Sequence, residues 1–500
     1  MRAGTGSGPA GPDPSFGLAT VASVHLAIDL GAESGRAFVA SVGNGVELRE
    51  IGRFRNLPQR RDGRVAWNMP LIRDFISDAL GRCGPVDSVS IDSWAVDFGL
   101  LDSEGGLIAP PRCYRDPFNV GALDLVLERI SASDLYNRTG IQLLEINTIC
   151  QLAALAARRP AELAEASKLL MIPDLLRLWM GGEAVSERTN ASTTQMLAPS
   201  GEWDPVAVAA SGAAMSILPV TVESYEVVGR CSASLGGVPI VAGASHDTAA
   251  AVAGTPLRSG EAFLSSGTWS LLGLELPAPV ISRQAQRLNL SNEHGVAGTT
   301  RLLRNVMGLW MVQQSRRAWA LLDGFESDYA DLAGLAASAS IDSIVDPDAA
   351  LFVRPEDMTA AIDEYCVRTG QRAPGSRGET LRCILQSLAL RYRWVIEALE
   401  LVTGSRVTTL RVVGGGSQNE LLCQLTADAA ARPVQAGPVE ATVLGNVMVQ
   451  AVVQGTLPDL AAGRAIIETS LAPRIYQPSQ DLEPAYQRFC ALPGVGRPSG

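Results

Sequence analysis

Lysine is almost absent from this chain. Lys168 is the single lysine among 500 residues, and the other basic residues are arginine. A P-loop needs a Gly-Lys-Ser or Gly-Lys-Thr sequence, and a protein-kinase site needs a strand lysine on the phosphates. The sequence contains no Gly-Lys pair, and no glycine-rich loop lies beside Lys168. Both of these classes of ATP site are therefore excluded.

Histidine is scarce, and the cysteines are not grouped. None of the three histidines has the spacing of metal ligands, so a zinc site is not expected. Eight cysteines are scattered along the chain without a Cys-x-x-Cys pair. In a chain of this length such usage predicts reduced thiols and a cytoplasmic protein. The sequence leaves open whether any of the eight thiols pair.

An excess of basic charge and long apolar runs are also missing. The formal net charge of −11 argues against a nucleic acid partner and against binding to an anionic membrane surface. No apolar run reaches the roughly 18 residues that a membrane helix needs. We therefore expect small-molecule partners and neither nucleic acid nor membrane. The oligomeric state, monomer or dimer, is left open.

The length predicts more than one domain, because single cores stop growing at roughly 250–300 residues. Residues 1–22 are rich in Gly, Pro, Ser and Ala and predict a disordered N-terminal extension. A Gly-Pro break at residues 253–256 predicts a boundary between a first domain, residues 23–254, and a second, residues 255–476. Residues 477–500 are left as a C-terminal tail.

Each predicted domain opens with an apolar strand, a turn of small and hydroxyl residues, and a second apolar strand. The first turn follows Asp29 and is Gly-Ala-Glu-Ser-Gly-Arg, residues 31–36; the second is Ser-Ser-Gly-Thr, residues 265–268. Such turns direct backbone N–H groups and hydroxyls into one concavity that holds phosphate. Two of them, half a chain apart, predict two similar domains closing on one nucleotide, and hence an ATP-dependent enzyme.

Two aspartates are candidates for the chemistry. Asp29 ends its strand and can hold Mg²⁺ through water beside the phosphates, although an aspartate there also fits turn stabilisation. Asp247 lies in Ser-His-Asp-Thr, residues 245–248, after an apolar segment. Its carboxylate can take the proton of a substrate hydroxyl that attacks the γ-phosphate, although a helix-capping role competes.

Other segments carry weaker signals. Asp92 and Asp97 flank Trp94, which fits a sugar pocket or, equally, a core tryptophan with surface aspartates. Three glycines at 414–416 follow a buried strand and favour a contact with adenosine.

Apolar spacing predicts several helices. They cover residues 161–180, interrupted at Pro173, then residues 381–399, and residues 440–454 with Gly445 available for a close backbone approach. Asn419 is predicted to cap a further helix.

Eight segments together resemble the FGGY carbohydrate kinases, within the actin-like ATPase superfamily, and are most similar to the rhamnulokinase branch. They follow in family order over roughly residues 24 to 476 and comprise residues 29–36, 91–98, 114–116, 244–249, 264–270, 305–310, 413–419 and 437–441. The resemblance implies an α/β fold of two actin-like (ribonuclease H-like) domains. Each would be a mixed sheet flanked by helices, with ATP and sugar in the cleft between the domains.

The resemblance also implies a reaction and site residues. In that branch the γ-phosphate of ATP moves to the 1-hydroxyl of L-rhamnulose in L-rhamnose catabolism, with Mg²⁺ required. Asp247 would be the proton acceptor and Asp29 the ligand of Mg²⁺ through water. The sugar would meet Ala95, His246, Asp247, Thr248 and Asn305, and ATP would meet Ala32, Glu33, Ser34, Gly35, Arg36, Thr268, Gln313 and Gly415.

One position departs from the branch, since Ala95 stands where its members usually have glycine, and an added methyl group there can alter ketose preference. Two alternatives therefore stay open. One is another FGGY ketose kinase, acting on L-fuculose or a pentulose. The other is a non-catalytic nucleotide-binding protein of the actin-like superfamily.

Overall fold

The computed structural model describes residues 22–499. The predicted extension, residues 1–22, lies outside the described residues except for Ala22. In chain order the strands are β1 Ser23–Leu30, β2 Ser34–Val42, β3 Val46–Arg55, β4 Gln59–Arg61, β5 Arg64–Ala66, β6 Ser88–Ser93, β7 Phe98–Leu101, β8 Lys168–Met171, β9 Ser186–Glu187, β10 Thr221–Val222, β11 Glu226–Arg230, β12 Pro239–Ala242, β13 Glu261–Ser266, β14 Trp269–Leu276, β15 Ser291–His294, β16 Thr300–Met307, β17 Thr409–Val413, β18 Val434–Ala436 and β19 Arg474–Tyr476.

The helices begin and end as follows. They are α1 Met69–Arg82, α2 Ala122–Leu127, α3 Ala132–Thr139, α4 Thr148–Arg158, α5 Pro160–Ala164, α6 Ile172–Met180, α7 Arg188–Ala191, α8 Pro205–Ser211, α9 Asp247–Ala253, α10 Arg283–Arg287, α11 Trp310–Asp323, α12 Tyr329–Ser338, α13 Met358–Arg368, α14 Arg377–Thr403, α15 Glu420–Ala430, α16 Ala441–Val453, α17 Leu460–Ser470 and α18 Glu483–Cys490. In the part of the chain that the structure describes, none of them is both long and apolar enough to cross a bilayer.

Two large sheets organise the chain, and their cores have the same strand order. The first sheet runs β11-β12-β6-β1-β2-β3, with β1, β2 and β3 antiparallel and β1, β6 and β12 parallel. The second runs β15-β16-β14-β13-β17-β18-β19, with β13, β14 and β16 antiparallel and β13, β17 and β18 parallel. Each is a mixed sheet whose opening hairpin is followed by parallel crossovers. This confirms the expected fold of two similar α/β halves.

Helices α9 and α16 cross between the two sheets. Their small and aliphatic side chains fill one face of the first sheet, and α9 also packs against residues of the second. A Cβ atom added at Gly445 would lie 1.8 Å from the carbonyl oxygen of Ala250, and one at Gly254 would lie 2.1 Å from that of Ala441. The expected close backbone approach at Gly445 is confirmed, because the crossing leaves no room for a methyl group.

A chain of buried hydrogen bonds joins α16 to the first sheet. The Nδ1 atom of His25 is 2.8 Å from Ser88 Oγ, which donates to Gln450 Oε1 at 2.7 Å. Gln450 Nε2 donates to Asn446 Oδ1 at 2.8 Å, and Asn446 Nδ2 donates to Asp92 Oδ2 at 2.6 Å. Because the one Ser88 proton is used on Gln450, His25 donates from Nδ1–H to Ser88. Every donor in the chain therefore points toward Asp92.

One predicted helix was wrong. Residues 161–180 form two helices, α5 and α6, separated by the buried strand β8. Pro173 lies in the first turn of α6, where a proline costs no intrahelical hydrogen bond, so it starts that helix and does not interrupt it. The segment left as a tail contains α18, whose Tyr486 and Phe489 side chains are buried with the core of the second sheet.

Candidate active site

The first hydroxyl turn joins β1 to β2 at the carboxyl end of the first sheet. Gly31 N–H donates to Ser34 O at 2.9 Å and closes the turn. Asp29 lies just before it, and the Arg36 guanidinium bridges Asp29 Oδ2 and Glu440 Oε2, the latter beside the N-terminus of α16. The turn thus carries a carboxylate and a cation that is itself shared between the domains.

Gly35 differs from its neighbours in the first turn. A Cβ atom placed on it would lie 2.1 Å from Cε1 of Phe54 on β3. The absence of a side chain at Gly35 therefore serves packing within the sheet.

The second hydroxyl turn joins β13 to β14 in the equivalent place. Gly267 N–H donates to Trp269 O at 2.9 Å, and Thr268 O accepts from Trp310 N–H at 3.1 Å at the start of α11. Gln313, one turn further along α11, donates from Nε2 to Thr268 Oγ1 at 3.4 Å. The hydrogen bonds from Trp310 and Gln313 to Thr268 therefore hold the second hydroxyl turn against the start of α11.

The glycines at 414–416 lie between β17 and α15. A Cβ atom on Gly415 would meet no atom within 4 Å, whereas one on Gly416 would lie 1.9 Å from Ser266 Oγ. Asn419 accepts a hydrogen bond from Leu422 N–H at 3.0 Å, which confirms the predicted helix cap. Gly415 thus presents open backbone beside the second hydroxyl turn, while Gly416 is needed for packing.

Asp247 is the first residue of α9, directly after β12. Its Oδ1 atom lies 3.2 Å from Thr248 Oγ1 and 3.3 Å from His246 Nε2, and its side chain is 30% exposed toward the cleft. The N-cap residue of α9 is His246, and α9 has no side-chain cap hydrogen bond. Burial at the base of the cleft raises the pKa of Asp247, and the nearby Asp29 carboxylate raises it further. A carboxylate in this environment is a stronger proton acceptor than an exposed one.

Asp92 and Asp97 are buried, so they are not surface aspartates, and neither lines the cleft cavity, whereas Trp94 between them does. Asp97 accepts hydrogen bonds from the indole N–H groups of Trp67 at 2.6 Å and Trp94 at 3.0 Å, and burial raises its pKa to about 7. Asp92 is fully buried beside Asp29 at the end of β6; burial and that carboxylate raise its pKa well above the ordinary value. Asp97 therefore holds the tryptophans in place, and Trp94 itself faces the cavity.

A cavity of about 520 Å³ lies where the two turns, the glycines and Asp247 meet. Of the residues singled out from the sequence, its lining contains Asp29, Ala32, Glu33, Ser34, Arg36, Ala95, His246, Asp247, Thr248, Thr268, Asn305, Gln313 and Gly415. Of the residues that the family resemblance assigns to the site, Gly35 alone is not part of the lining. The structure thus brings together, from both domains, residues that are far apart in the sequence.

Sequence reasoning missed several polar residues of the same cavity. Gln142 accepts from Asn305 N–H at 2.9 Å and from Asn305 Nδ2 at 3.1 Å, so it orients that amide across the cleft. Glu293 also lines the cavity, and it is paired with Arg301 at 3.1 Å. No local pattern marks these residues, because Gln142 meets Asn305 across the two domains and Glu293 meets Arg301 only through the register of β15 against β16. Within residues 22–499, no group of three or more His, Cys, Asp or Glu side chains is arranged to hold a metal ion.

Two sheets of the same strand order meet at one cleft, and comparison with known proteins specifies the class. The N-terminal domain model of the FGGY family of carbohydrate kinases matches residues 24–254, and the C-terminal domain model matches residues 262–453. The chain therefore belongs to the FGGY family of carbohydrate kinases. It is an ATP-dependent sugar kinase.

Individual relatives are similar over most of their length. A rhamnulokinase of Bacteroides thetaiotaomicron is 41% identical over 481 residues, which cover 93% of this chain and 98% of the relative. A rhamnulokinase of Pectobacterium carotovorum is 40% identical over 485 residues, covering 93% and 96%. The crystal structure of a gluconate kinase from Lactobacillus acidophilus superposes with a TM-score of 0.74 at 16% identity, covering 94% and 96%, which shows the shared fold.

Proposed function

We propose that this chain transfers the γ-phosphate of ATP to the 1-hydroxyl of L-rhamnulose, giving L-rhamnulose 1-phosphate and ADP. The observation that carries the proposal is the position of Asp247, which faces the same cavity as both hydroxyl turns. The relatives named above, rhamnulokinases at about 40% identity over nearly their whole length, support the choice of sugar.

Asp247 is the proton acceptor in this proposal. The oxygen of the sugar 1-hydroxyl attacks the γ-phosphorus while its proton passes to the carboxylate of Asp247. The bond from the γ-phosphorus to the β–γ bridging oxygen breaks, and its electron pair leaves with ADP. Phosphoryl transfer requires little beyond this base, alignment and neutralised phosphate charge. Among residues 22–499, no lysine or arginine forms an ion pair with Asp247, which supports its service as a base.

The two hydroxyl turns hold the phosphates in this proposal. Ala32, Glu33, Ser34 and Arg36 line the cavity from the first domain and Thr268 lines it from the second, and Gly415 offers open backbone for the adenosine. Glu33 adds a negative charge to the first turn, but its carboxylate is paired with Arg317 of the second domain. This ion pair removes a charge that would otherwise repel the nucleotide.

We infer that Mg²⁺ accompanies the nucleotide. Mg²⁺ keeps several waters and is bound by one or two carboxylates together with substrate phosphates, so it does not need a dedicated cluster of protein ligands. Asp29 fits this role, because Arg36 bonds its Oδ2 atom and leaves Oδ1 for a metal-bound water at the cavity wall. When bound, the ion neutralises phosphate charge.

The sugar side of the cavity carries the question of specificity. Trp94 offers an aromatic face, and Asn305 directs its amide oxygen into the cavity because Gln142 receives its N–H groups. The methyl group of Ala95 lies in the cavity wall next to Trp94. The second candidate function is a kinase of another ketose, such as L-fuculose or a pentulose. The methyl group of Ala95 favours it, because a narrower pocket wall rejects one sugar epimer more strongly than another.

A coupled assay of ADP release with Mg·ATP tests the proposal. It compares L-rhamnulose with L-fuculose, L-ribulose, D-xylulose and glycerol, for the wild type and Ala95→Gly. The expected result is the highest kcat/KM for L-rhamnulose. A higher value for another ketose would support the second candidate, and a change of preference in Ala95→Gly would assign it to the methyl group. No turnover with any of the five would favour a non-catalytic nucleotide-binding protein.

Asp247→Asn tests the base within the same assay. We expect kcat to fall by about 10²–10⁴-fold while the Kd for ATP changes little, because only the proton acceptor is lost. Asp102→Asn, in the turn after β7 and outside the cavity lining, is the matched control and should retain full activity. Near-normal turnover of Asp247→Asn would refute the assignment.

A further inference from the structure

Arg301 is a buried arginine of the second domain that reaches into the first. It lies on β16 directly opposite Glu293 on β15, and the two side chains are paired, NH1 to Oε2, at 3.1 Å. Its Nε–H donates to His294 O at 3.1 Å. Its NH2 group lies 3.4 Å from Thr189 O and 3.2 Å from His246 Nδ1, both in the first domain. Arg301 is fully buried behind His246 and is not part of the cavity lining.

The contacts of Arg301 determine where His246 carries its proton. A guanidinium group only donates hydrogen bonds, so an Nδ1 atom 3.2 Å from it must present a lone pair. The single hydrogen of the neutral imidazole is then on Nε2, which lies 3.3 Å from Asp247 Oδ1. Glu293 Oε2 is also 3.5 Å from Nδ1 and forms an ion pair with Arg301 NH1 at 3.1 Å, but neither contact has the geometry of a hydrogen bond, whereas the contact from Arg301 NH2 to Nδ1 does.

The four side chains form an ordered series from Glu293 through Arg301 and His246 to Asp247. Glu293 forms an ion pair with Arg301, Arg301 donates to His246 Nδ1, and His246 places its Nε2–H 3.3 Å from the carboxylate of Asp247. The main chain of His246 is also held, since its backbone N–H donates to Thr189 Oγ1 at 3.2 Å. His246 therefore has one tautomer and one orientation in this arrangement, as is usual for a histidine whose second nitrogen has a fixed partner.

We propose that Arg301 is a positioning residue that sets the tautomer of His246 and, through it, the orientation of the Asp247 carboxylate. The effect of Arg301 on catalysis rests on the proposed role of Asp247 as proton acceptor. Arg301 belongs to the second domain and His246 to the first, so the base is oriented only when the two domains are in contact. The orientation of the base in the first domain therefore depends on a side chain of the second.

Loss of the guanidinium has a defined consequence. Glu293 loses its cation and becomes the nearest acceptor for a proton on His246 Nδ1. With the proton moved to Nδ1, the lone pair of Nε2 faces the Asp247 carboxylate, and the two repel each other. Asp247 then loses its favourable contact with His246 Nε2–H and turns away from the attacking hydroxyl.

The experiment combines NMR of the ¹⁵N-histidine-labelled protein with kinetics of Arg301→Met. The chain has only three histidines, so His25→Gln and His294→Gln assign the spectrum by subtraction. In the wild type we expect His246 with a proton on Nε2 and none on Nδ1. In Arg301→Met we expect protonation of Nδ1 and a kcat lowered by about 10–100-fold, part of the contribution of a general base, with the KM for ATP within about twofold.

Arg304→Met is the matched control. Arg304 is on the same strand and largely buried, but it bonds Leu288 O and pairs with Asp348 away from His246. It should destabilise the protein to a similar degree and leave the His246 signals and kcat unchanged. Arg301→Lys retains the charge and a donor, so it should keep the wild-type tautomer and recover part of kcat.

Three results would overturn the proposal. These are a proton on Nδ1 of His246 in the wild type, an unchanged His246 spectrum in Arg301→Met, and an unchanged kcat in that variant. If Arg301→Met does not fold, the wild-type spectrum and Arg301→Lys still decide the matter. The spectra are recorded without turnover, so a protein that phosphorylates no ketose would refute the proposed function and leave the tautomer result standing by itself.

Discussion

The crossing of α9 and α16 makes a sharp prediction about Gly445→Ala. The new Cβ atom would lie 1.8 Å from the carbonyl oxygen of Ala250 and 2.7 Å from the backbone nitrogen of Gly254. Such contacts are essentially never shorter than 3.0 Å, so the helices would have to separate by more than 1 Å. Both are backbone atoms, which cannot move aside as a flexible side chain would.

The magnitude follows from the packing around the crossing. Overfilling a close-packed core costs about 1–3 kcal/mol where side chains can adjust, and here neither helix can yield without disturbing a sheet. We therefore expect Gly445→Ala to lower the free energy of unfolding by about 3 kcal/mol, although alanine is the better helix former by about 1 kcal/mol. Because α9 begins at Asp247, kcat should fall as well.

Gly334→Ala is the matched control. Gly334 lies inside α12, is exposed, and a Cβ atom there would meet no atom within 4 Å. The same substitution should raise the free energy of unfolding by about 0.5–1 kcal/mol. Urea denaturation followed by circular dichroism measures both. A Gly445→Ala protein as stable as the wild type would refute the reasoning, because no other property of the residue offsets the collision.

Three further predictions concern His25, Gly35 and Asn419. Burial lowers the pKa of His25 from 6.5 to about 4 in the folded protein. As the pH falls, the unfolded chain is therefore protonated at His25 before the folded protein is. The stability that the neutral, buried His25 provides is complete above pH 6.5 and is lost as the pH falls toward 4. His25→Gln should remove a loss of about 3 kcal/mol between about pH 7 and about pH 4, measured by urea titration at each pH, whereas an unchanged slope would contradict it. Gly35→Ala should destabilise the protein by about 1–3 kcal/mol in the absence of ATP, since the methyl group meets Phe54; a change in ATP affinity alone, by calorimetry, would show the packing argument to be wrong. Asn419→Ala should cost about 1 kcal/mol through loss of the α15 cap, and Asn419→Ser should restore most of it, as thermal unfolding would measure.

Local patterns were sufficient for the features that one short segment determines. The two hydroxyl turns, the long helix α14 and the cap at Asn419 each depend on residues within a few positions of one another, and all three were predicted. Residues 161–180 failed for a physical reason. The apolar run that forms β8 fits a buried strand or a helix equally well, and periodicity cannot distinguish the two over so few residues.

In the candidate site, too, residues marked by a local pattern were found and residues that depend on distant partners were not. The cavity-lining residues of the turns were found because their glycines and hydroxyls cluster in the sequence, and Asp247 because it follows an apolar strand. Asp97 was misplaced, since its acidic side chain indicates exposure unless the two indole donors are known. Arg301 carried no signal at all. Its partner Glu293 faces it through strand register, and His246 reaches it from the other domain.

The hydrogen-bond chain from His25 to Asp92 has a consequence for recombination between relatives. All its donors point in one direction, so reversing a single amide would set two donors or two acceptors against each other at a buried position. Ser88 comes from the first domain, whereas Asn446 and Gln450 come from the second. A chimera that joins the first domain of one kinase to the second domain of another must therefore exchange these positions as a set, since the interface accepts only sequences whose donors and acceptors match.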